Sequence, residues 1–497
     1  MRVVFPMLAV VTLTCTYGLA AVPAALPANA DQAAKKIIDT ARAGDGGWGM
    51  LADLCDHVGS RLAGSPSYAR AVAWATAQAT KLGFENVHTE DVTFARWIRG
   101  TEQLTLLEPG VVRELPLLAL GRTIGTPPEG LTGTALVVRD FDELEKRKDD
   151  VKGRIVVYNF PMRQGSGAYG EAVAYRTRGA SRAAKYGALA ALVRSVTTLA
   201  VRAPHTGVMG YEDGVPQIPT AAITIEDALL MARLQEQGTP AKLRLVLGAK
   251  DGGPVTDANV VAELRGRERP DEVVLIGGHL DSWDVGCGAH DDGAGVVTSL
   301  AVLRTLREAG LQPRRTVRVV LFANEEFGGI GGKAYLAAHK AEMAKFVAAL
   351  ESDSGGFRPT GFTLDGDPAA VERAAQWMTL FAPLGDVTLK AGGSGADIGG
   401  MGGEGVPAFG VGSFGEHYFD YHHSPLDTVD KVDVKDLRDA VASYALMTWL
   451  LAEAPEPLVR KAPAPPTPPA QSPSSSPSPS SSPSPSPSPS PSPSPKR

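Results

Sequence analysis

The chain has 497 residues, of which 43% are hydrophobic and 21% are charged, and its formal net charge is -6. This length is sufficient for a large core and for more than one domain. The mildly acidic balance argues against a nucleic acid partner, because phosphate binding needs a basic surface.

The first 30 residues have the pattern of a secretory signal. Arg2 precedes an apolar stretch, and the small residues Ala28 and Ala30 form a cleavage motif. We therefore predict processing after Ala30 and a secreted or periplasmic protein. Prolines interrupt the apolar stretch and leave it too short to cross a membrane comfortably, so we expect no stable membrane span here.

Two cysteines, Cys55 and Cys287, belong to the predicted mature chain. In an exported protein they either form one disulfide or stay buried as free thiols, and the sequence leaves both alternatives open. Four thiolates are not available, which excludes a zinc site built from sulfur. Any metal ion must therefore be bound by imidazole and carboxylate groups.

The C-terminal residues 462–497 consist mainly of serine and proline. Such a segment has too few apolar side chains to offset the entropy that ordering removes, and its prolines favour an extended conformation. We predict a disordered tail over residues 462–497. The folded part of the chain is then expected within residues 31–461.

Residues 31–100 form the first part of a predicted main domain. Apolar residues at helical spacing predict a helix over residues 30–44. A second predicted helix begins at Ser65, an N-cap residue followed by proline, and ends at Gly83. Residues 87–97 then predict a strand.

Residues 101–250 contain short β-type runs and helical runs. TALVVRD, GRIVVYNF and AKLRLVLGA predict strands, and SRAAKYGALAALV predicts a helix. The region has one histidine, His205, and no cluster of candidate metal ligands. We predict that it is an inserted α/β domain that packs beside the main domain and shapes its cleft.

Residues 251–461 form the second part of the main domain and alternate between strands and helices. The predicted strands contain VVLIGGHLDS, RTVRVVLFANEE and KFVAALESDSG, and the helices between them contain GAGVVTSLAVLRTLREAG and GIGGKAYLAAHKAEM. This alternation predicts an α/β fold, with a mostly parallel mixed sheet and helices on both faces. In such sheets, ligands bind beyond the carboxyl ends of the strands.

Acidic and imidazole side chains follow three successive predicted strands at that edge. They are His279, Asp281, Glu325, Glu326 and Asp353. Helix capping alone does not explain this repetition. Carboxylates held side by side must be protonated or neutralised by a cation, and a divalent metal ion resolves their charge more simply than several raised pKa values.

The acidic pair Asp291–Asp292 adds to this cluster. Carboxylate oxygens combined with imidazole nitrogens favour zinc, with manganese or cobalt as substitutes. One ligand is still expected from a later loop, where His422 and His423 are the candidates. The alternative use of either acid is to cap the helix that begins near Gly293.

Five motifs occur in this part of the chain. They are GGHLDS, GAHDDGAG, FANEEFGGIGG, ESDSGG and HHSPLDT. In this order they resemble the co-catalytic zinc aminopeptidases and carboxypeptidases of peptidase family M28, and five ordered motifs are far more specific than any one of them. The resemblance covers residues 31–461, makes the main domain the catalytic domain, and likens residues 101–250 to a protease-associated domain.

The resemblance implies that the chain binds two zinc ions. Asp291 would bridge both ions. His279 and Asp353 would complete the site of one ion, and Glu326 and His423 would complete the site of the other. His423 is preferred to its neighbour because it keeps the spacing of the family motif.

The resemblance also implies the remaining roles. Glu325 would be the general base, and Asp281 would orient His279. The Asp291–Asp292 peptide bond would be cis. Independently of the resemblance, we expect His417 and Tyr421 to line the substrate cleft.

The function implied by the resemblance is that of a secreted di-zinc exopeptidase, with small peptides and first of all unblocked dipeptides as substrates. An aminopeptidase that acts on longer peptides would use the same ligands and base, and is the nearest alternative. A non-catalytic binding domain usually lacks some ligands, and a one-zinc acyltransferase of related fold would bind a single ion. The resemblance further implies a homodimer.

Overall fold

The structure is a computed structural model that describes residues 26–27, 29–108, 111–165, 167–413 and 417–462. Most of the predicted signal segment and nearly all of the serine- and proline-rich tail lie outside these residues. Within the described part of the chain, no helix is both long and apolar enough to cross a membrane.

The helices are distributed along the whole described chain. They are α1 (Ala30–Ala43), α2 (Trp48–Asp53), α3 (Pro66–Lys81), α4 (Phe141–Lys146), α5 (Ala168–Ala184), α6 (Ile225–Glu236), α7 (Ala294–Glu308), α8 (Ile330–His339), α9 (Pro368–Ala375), α10 (Gly399–Gly403), α11 (Tyr418–Tyr421) and α12 (Val434–Glu453). Two short π-helical segments precede α3 and α7, at Leu54–Val58 and Ala289–Gly293.

The strands form two sheets. They are β1 (Glu85–Ile98), β2 (Glu102–Glu108), β3 (Val111–Leu115), β4 (Leu117–Ala119), β5 (Leu131–Val138), β6 (Arg154–Tyr158), β7 (Ala190–Arg194), β8 (Thr220–Ile223), β9 (Lys242–Leu247), β10 (Lys250–Leu264), β11 (Arg269–His279), β12 (Arg315–Phe322), β13 (Phe346–Glu351), β14 (Pro359–Asp365), β15 (Thr388–Ala391) and β16 (Ala408–Ser413).

The first sheet has eight strands in the order β1-β10-β12-β11-β13-β16-β14-β15. Its central strands β12, β11, β13 and β16 are parallel, whereas β1 and β10 pair antiparallel at one edge. Strands β14 and β16 also pair antiparallel. The predicted mixed sheet, mostly parallel at its centre, is confirmed.

Helices cover both faces of this sheet because successive side chains of a strand point to opposite faces. On β11, Val274 and Ile276 pack into a core shared with α1, α3, α7 and α12. Their neighbours Val273 and Leu275 pack into a second core with residues of α8 and α10. The near-continuous apolar sequence of β11 follows from this burial on both faces.

The second sheet also has eight strands, in the order β3-β2-β9-β5-β6-β7-β8-β4. All of them come from residues 102–247, between β1 and β10 of the first sheet. Helix α6 contributes to the core on one face of this sheet, and α5 contributes to the core on the other. We interpret this unit as the predicted inserted domain.

The start of α3 agrees with the prediction made from its sequence. The Ser65 hydroxyl accepts a hydrogen bond from the Tyr68 backbone N–H over 3.1 Å, and Gly83 follows the helix with a φ of 75°. The helix predicted over residues 181–193 is wrong in its second half. Helix α5 ends at Ala184, Gly187 has a φ of 81°, and the rest of that run is strand β7.

Contacts join the unit built on the first sheet to the unit built on the second. They involve the loops at the carboxyl ends of the strands of the first sheet. The rings of Trp97, Trp283 and Phe327 pack into the core of the second sheet. Arg99 pairs with Asp284 over 2.6 Å. The backbone N–H of Thr206 donates a hydrogen bond across the junction to a carbonyl oxygen of the loop after α11.

The two cysteines lie close to each other, beside helix α7. Both are free, and the Cys55 sulfur lies 3.9 Å from the carbonyl oxygen of Cys287. In the structure both thiols are free, with Cys55 buried and Cys287 half-buried.

Candidate metal centre

Three parallel neighbours in the first sheet deliver the candidate ligands to one edge. Strand β11 ends at His279 and lies between β12 and β13. Glu326 follows β12, and Asp353 follows β13. Because these strands are adjacent and parallel, their carboxyl ends place the three side chains close together, as the sequence pattern predicted.

The first group of side chains surrounds the His279 imidazole, which is buried. Its Nε2 lies 3.1 Å from Asp291 Oδ1 and 3.7 Å from Asp353 Oδ1. The other ring nitrogen, Nδ1, lies 3.0 Å from the carbonyl oxygen of Asp281. If that carbonyl accepts a hydrogen bond from Nδ1, the Nε2 lone pair is free to bind a metal ion.

The second group surrounds His423, in the loop after α11. Its Nε2 lies 3.0 Å from Glu326 Oε2 and 3.3 Å from Asp291 Oδ2. Asp291 therefore presents one carboxylate oxygen to each group. The peptide bond between Asp291 and Asp292 is cis, as the family resemblance implied.

Several oxygens of this cluster have no hydrogen-bond partner within the described structure. Asp291 Oδ2, Glu326 Oε1 and Asp353 Oδ1 are all buried and unpartnered. Buried polar atoms are nearly always hydrogen-bonded, because an unpaired one costs about 1–3 kcal/mol. Three such oxygens at one point fit a site that binds cations.

The electrostatics of the cluster reflect its crowded charges. Burial disfavours the imidazolium forms, but the surrounding carboxylates outweigh it: the pKa of His279 lies well above its usual value, and Glu326 and Asp291 raise the pKa of His423 to about 10. Burial and Asp291 raise the pKa of Glu326 to about 6 despite His423. The acids and imidazoles of this cluster thus shift one another's pKa values in opposite directions from what burial alone would give.

Glu325 is held at the edge of this cluster by its backbone. Its N–H donates to Asp281 Oδ1 over 3.0 Å, and the N–H of Glu326 lies 3.4 Å from Asp281 Oδ2. Asn324 has a φ of 59°, in the left-handed region that asparagine tolerates better than most residues. This turn separates the two glutamates, so that Glu326 faces His423 while Glu325 lines the adjoining cavity.

Two other side chains also lie within ligand distance. Ligand atoms of Asp292 group with those of His279 and Asp353, and those of His422 group with Asp291 and His423. Both oxygens of Asp292 are already used, since Oδ2 accepts from the His279 N–H and Oδ1 accepts from an N–H at the start of α7. The sequence left this capping role open to either acid of the pair.

His422 packs against its neighbour instead of pointing to a second carboxylate. The rings of His422 and His423 stack with their centroids 3.5 Å apart. His422 Nε2 lies 3.7 Å from Asp291 Oδ2, which is farther than the 3.3 Å of His423. Burial holds the pKa of His422 well below its usual value.

Asp427 holds the backbone of the site. It was noted in the sequence only as part of the motif HHSPLDT. Its carboxylate accepts hydrogen bonds from the N–H groups of His290 and Asp291 over 2.7 and 3.1 Å. Burial raises its pKa to about 7. Asp427 thereby fixes the backbone of the acid that is shared between the two groups.

A cavity of about 350 Å³ opens on the cluster. Residues of both units line it, and the unit built on the second sheet contributes Tyr169, Arg176 and Val208. No sequence pattern pointed to these three. Tyr418 and Phe419 line this cavity, whereas His417 and Tyr421, which were predicted to line the substrate cleft, are not among its lining residues.

Comparison with known proteins agrees with this geometry. The sequence profile described as "Peptidase family M28" matches residues 259–448. Carboxypeptidase Q of Mus musculus is 41% identical to the chain over 436 residues, which cover 87% of this chain and 92% of the mouse protein.

Solved structures have the same architecture. A peptidase M28 precursor from Shewanella amazonensis SB2B is 36% identical and covers 88% of this chain and 99% of its own, with a TM-score of 0.83. A zinc aminopeptidase from Bacillus subtilis is 20% identical, covers 85% of this chain and 95% of its own with a TM-score of 0.59, and shares the fold. The predicted fold class and family are confirmed. The chain is a metallo-exopeptidase that belongs to peptidase family M28.

Proposed function

We propose that the protein is a secreted di-zinc exopeptidase that hydrolyses small peptides, in particular unblocked dipeptides. The observation that carries the proposal is that the Asp291 carboxylate contacts both groups of side chains. Its Oδ1 lies 3.1 Å from His279 Nε2, and its Oδ2 lies 3.3 Å from His423 Nε2. A carboxylate in this position is suited to bridge two cations. The three unpartnered oxygens support the same conclusion.

The proposed ligands form two sets that share Asp291. His279 and Asp353 would hold one zinc ion, and Glu326 and His423 would hold the other. These donors are imidazole nitrogens and carboxylate oxygens without thiolates, a combination that zinc accepts. The likeness to the Bacillus subtilis enzyme, which is named as a zinc aminopeptidase, is consistent with this metal.

In the proposed reaction, water adds to the carbonyl carbon of the scissile peptide bond, and the C–N bond then breaks. Bound zinc acidifies water and polarises a carbonyl oxygen. Glu325 lines the cavity and accepts the proton that the water loses, and then transfers it to the leaving amine. Asp281 contributes by holding the backbone of Glu325 in place.

The size of the cavity favours a small substrate. Its volume of about 350 Å³ lies near the lower end of the range of about 300–1,000 Å³ that is usual for ligand pockets. Side chains of the second unit also line it, and we propose that they limit the length of the substrate, which favours dipeptides over the longer peptides of the alternative aminopeptidase. Secretion is proposed from the N-terminal sequence, and N-terminal sequencing of the exported protein tests the cleavage after Ala30.

The test combines metal analysis with hydrolysis of a peptide panel by the wild type, Glu325→Gln and Glu308→Gln. Glu308 is an exposed glutamate of α7 and serves as a matched control. We expect about two zinc ions per chain in all three proteins. Turnover of dipeptides should fall about 10²–10⁴-fold in Glu325→Gln alone, because only this variant lacks the proton acceptor.

Three outcomes would contradict the proposal. Full activity of Glu325→Gln would remove the assigned base. A wild type that binds zinc but cleaves no free, blocked or longer peptide would favour the non-catalytic alternative, and a single bound zinc ion would favour the acyltransferase.

A further inference from the structure

One buried cation faces the cluster of acids. Arg176 lies on α5, in the second unit, and its side chain is only 5% exposed. It lines the cavity together with four carboxylates of the metal centre, and it is the only arginine or lysine among the described residues of the lining. The second sheet thus contributes a positive charge at the point where the first contributes its ligands.

The oxygen atoms that accept hydrogen bonds from the guanidinium of Arg176 are both neutral. Nη1 donates to the carbonyl oxygen of Thr206 over 3.2 Å, and Nη2 donates to the Tyr169 hydroxyl over 2.8 Å. Nε has no hydrogen-bond partner. Within the described chain, no carboxylate oxygen lies within the 4.0 Å that defines an ion pair with this group.

Arg176 also contacts His423, but this contact does not give the guanidinium a negatively charged partner. Nη1 lies 3.4 Å from Nδ1 of His423. When Nε2 of a neutral histidine binds a metal ion, Nδ1 carries the proton. Both atoms are then donors, so in the proposed metal-bound state Arg176 does not donate a hydrogen bond to His423.

The surrounding backbone holds the guanidinium in this position. Gly207 packs directly against it, and a Cβ atom at Gly207 would lie 2.4 Å from Arg176 Cζ. The adjacent Thr206 N–H donates to the His423 carbonyl oxygen over 2.9 Å. Arg176 and His423 are therefore fixed relative to each other by the same short segment.

Buried charges are normally paired, because an ion that is removed from water without a partner loses its hydration with no compensating interaction. Arginine in particular has five donors arranged to match a carboxylate. The protein supplies no carboxylate to Arg176, although the cavity that it lines is large enough for a small peptide. The missing partner is therefore an anion that arrives with the substrate.

We propose that Arg176 binds the free α-carboxylate of the C-terminal residue of the substrate. This inference rests on the function proposed above and assigns its direction. Since Arg176 contacts His423, the bound carboxylate lies beside the metal centre, and the peptide bond that reaches the centre is the last one of the chain. The enzyme accordingly releases the C-terminal residue, and on a dipeptide this is the only bond.

The experiment uses matched substrates, a dipeptide as the free acid and the same dipeptide as its C-terminal amide. Both are tested with the zinc-loaded wild type, Arg176→Met, Arg176→Lys and Arg178→Met. Arg178 lies on the same helix, is exposed, and provides the control. The quantity compared is the ratio of kcat/KM for the acid to kcat/KM for the amide, which does not depend on the fraction of correctly folded enzyme.

We expect the wild type and Arg178→Met to prefer the free acid by about 100-fold, as is usual when a buried charge pair is available. In Arg176→Met the ratio should fall to near one, and Arg176→Lys should keep part of the preference because it keeps the charge without the planar donors. Zinc content should be the same in all four proteins.

An acid-to-amide ratio that Arg176→Met leaves unchanged would overturn the assignment of Arg176. A wild type that cleaves both substrates equally well would also overturn it, while the proposed hydrolysis by the metal centre would stand. A wild type that cleaves neither substrate, nor any other peptide of the panel, would contradict the proposed function itself.

Discussion

The carboxylate of Asp281 accepts a hydrogen bond from the backbone N–H of Glu325 over 3.0 Å. This bond ties the loop after β11 to the turn after β12. The family resemblance implied that Asp281 orients His279, but the His279 Nδ1 atom lies nearer to the Asp281 carbonyl oxygen, at 3.0 Å, than to its carboxylate, at 3.7 Å. The carboxylate thus acts chiefly on the backbone of the proposed base.

Asp281→Asn tests this relationship. An amide of the same size keeps one acceptor oxygen, but its NH₂ group faces a backbone N–H that previously had an acceptor. We expect kcat to fall about 10–100-fold, the usual cost of losing a residue that positions the groups around a metal. The measurement is steady-state hydrolysis of a dipeptide at saturating zinc.

Asp271→Asn is the control for that variant, because Asp271 is exposed on β11. It should keep the activity of the wild type. An unchanged kcat in Asp281→Asn would mean that the turn holds Glu325 without this hydrogen bond.

The shared position of Asp291 leads to a prediction about metal stoichiometry. Asp353 contacts only the His279 group, whereas Asp291 contacts both groups. Asp353→Ala should therefore retain about one zinc ion per chain, and Asp291→Ala should retain close to none. The measurement is elemental analysis after gel filtration, and equal zinc contents in the two variants would contradict the bridging role.

His205 leads to a prediction about acid stability. Burial lowers its pKa to about 3, although its Nδ1 lies 2.7 Å from the carbonyl oxygen of His422. Between the unfolded pKa of about 6.5 and the folded value of about 3, the unfolded chain binds a proton that the folded chain does not. The contribution of His205 to the free energy of unfolding is therefore fully present above this range and decreases as the pH falls through it.

In His205→Asn the side-chain amide can donate to the same carbonyl but does not titrate. We expect the loss of Tm between about pH 7.5 and about pH 4.5 to be smaller than in the wild type, when both are measured without metal by calorimetry. His57→Asn is the control, since the His57 side chain is 76% exposed. Equal losses in His205→Asn and the wild type would show that the buried imidazole does not resist protonation.

The first sheet and the convergence of the proposed metal ligands at its edge could be predicted because their signals are local. An apolar run of 4–8 residues followed at once by acid or histidine indicates the end of a buried strand, and parallel strands bring such ends together. His279, Glu326 and Asp353 follow this rule. The sequence left the role of Asp292 open, because it does not distinguish a bridging acid from a helix-capping acid in a pair.

The contribution of the second unit could not be predicted in the same way. Arg176 lies on a helix with many other charged and small residues, and nothing in its neighbourhood marks it as buried. Its importance depends on contacts with His423, which is 247 residues away in the sequence. The α5–β7 boundary was missed for a related reason: Gly187 interrupts an alanine-rich run whose composition suits a helix, and the tertiary pairing of β7 overrides that propensity.

The hydrogen bonds between residues 205–206 and the carbonyl groups of His422 and His423 have a consequence for how the enzyme matures. They make the position of the last proposed ligand depend on a segment that itself depends on the second sheet. A chain whose residues 102–247 have not folded carries every ligand of the centre but leaves His423 unanchored. If the proposed ligands hold zinc, we therefore expect tight zinc binding to require that both sheets have folded.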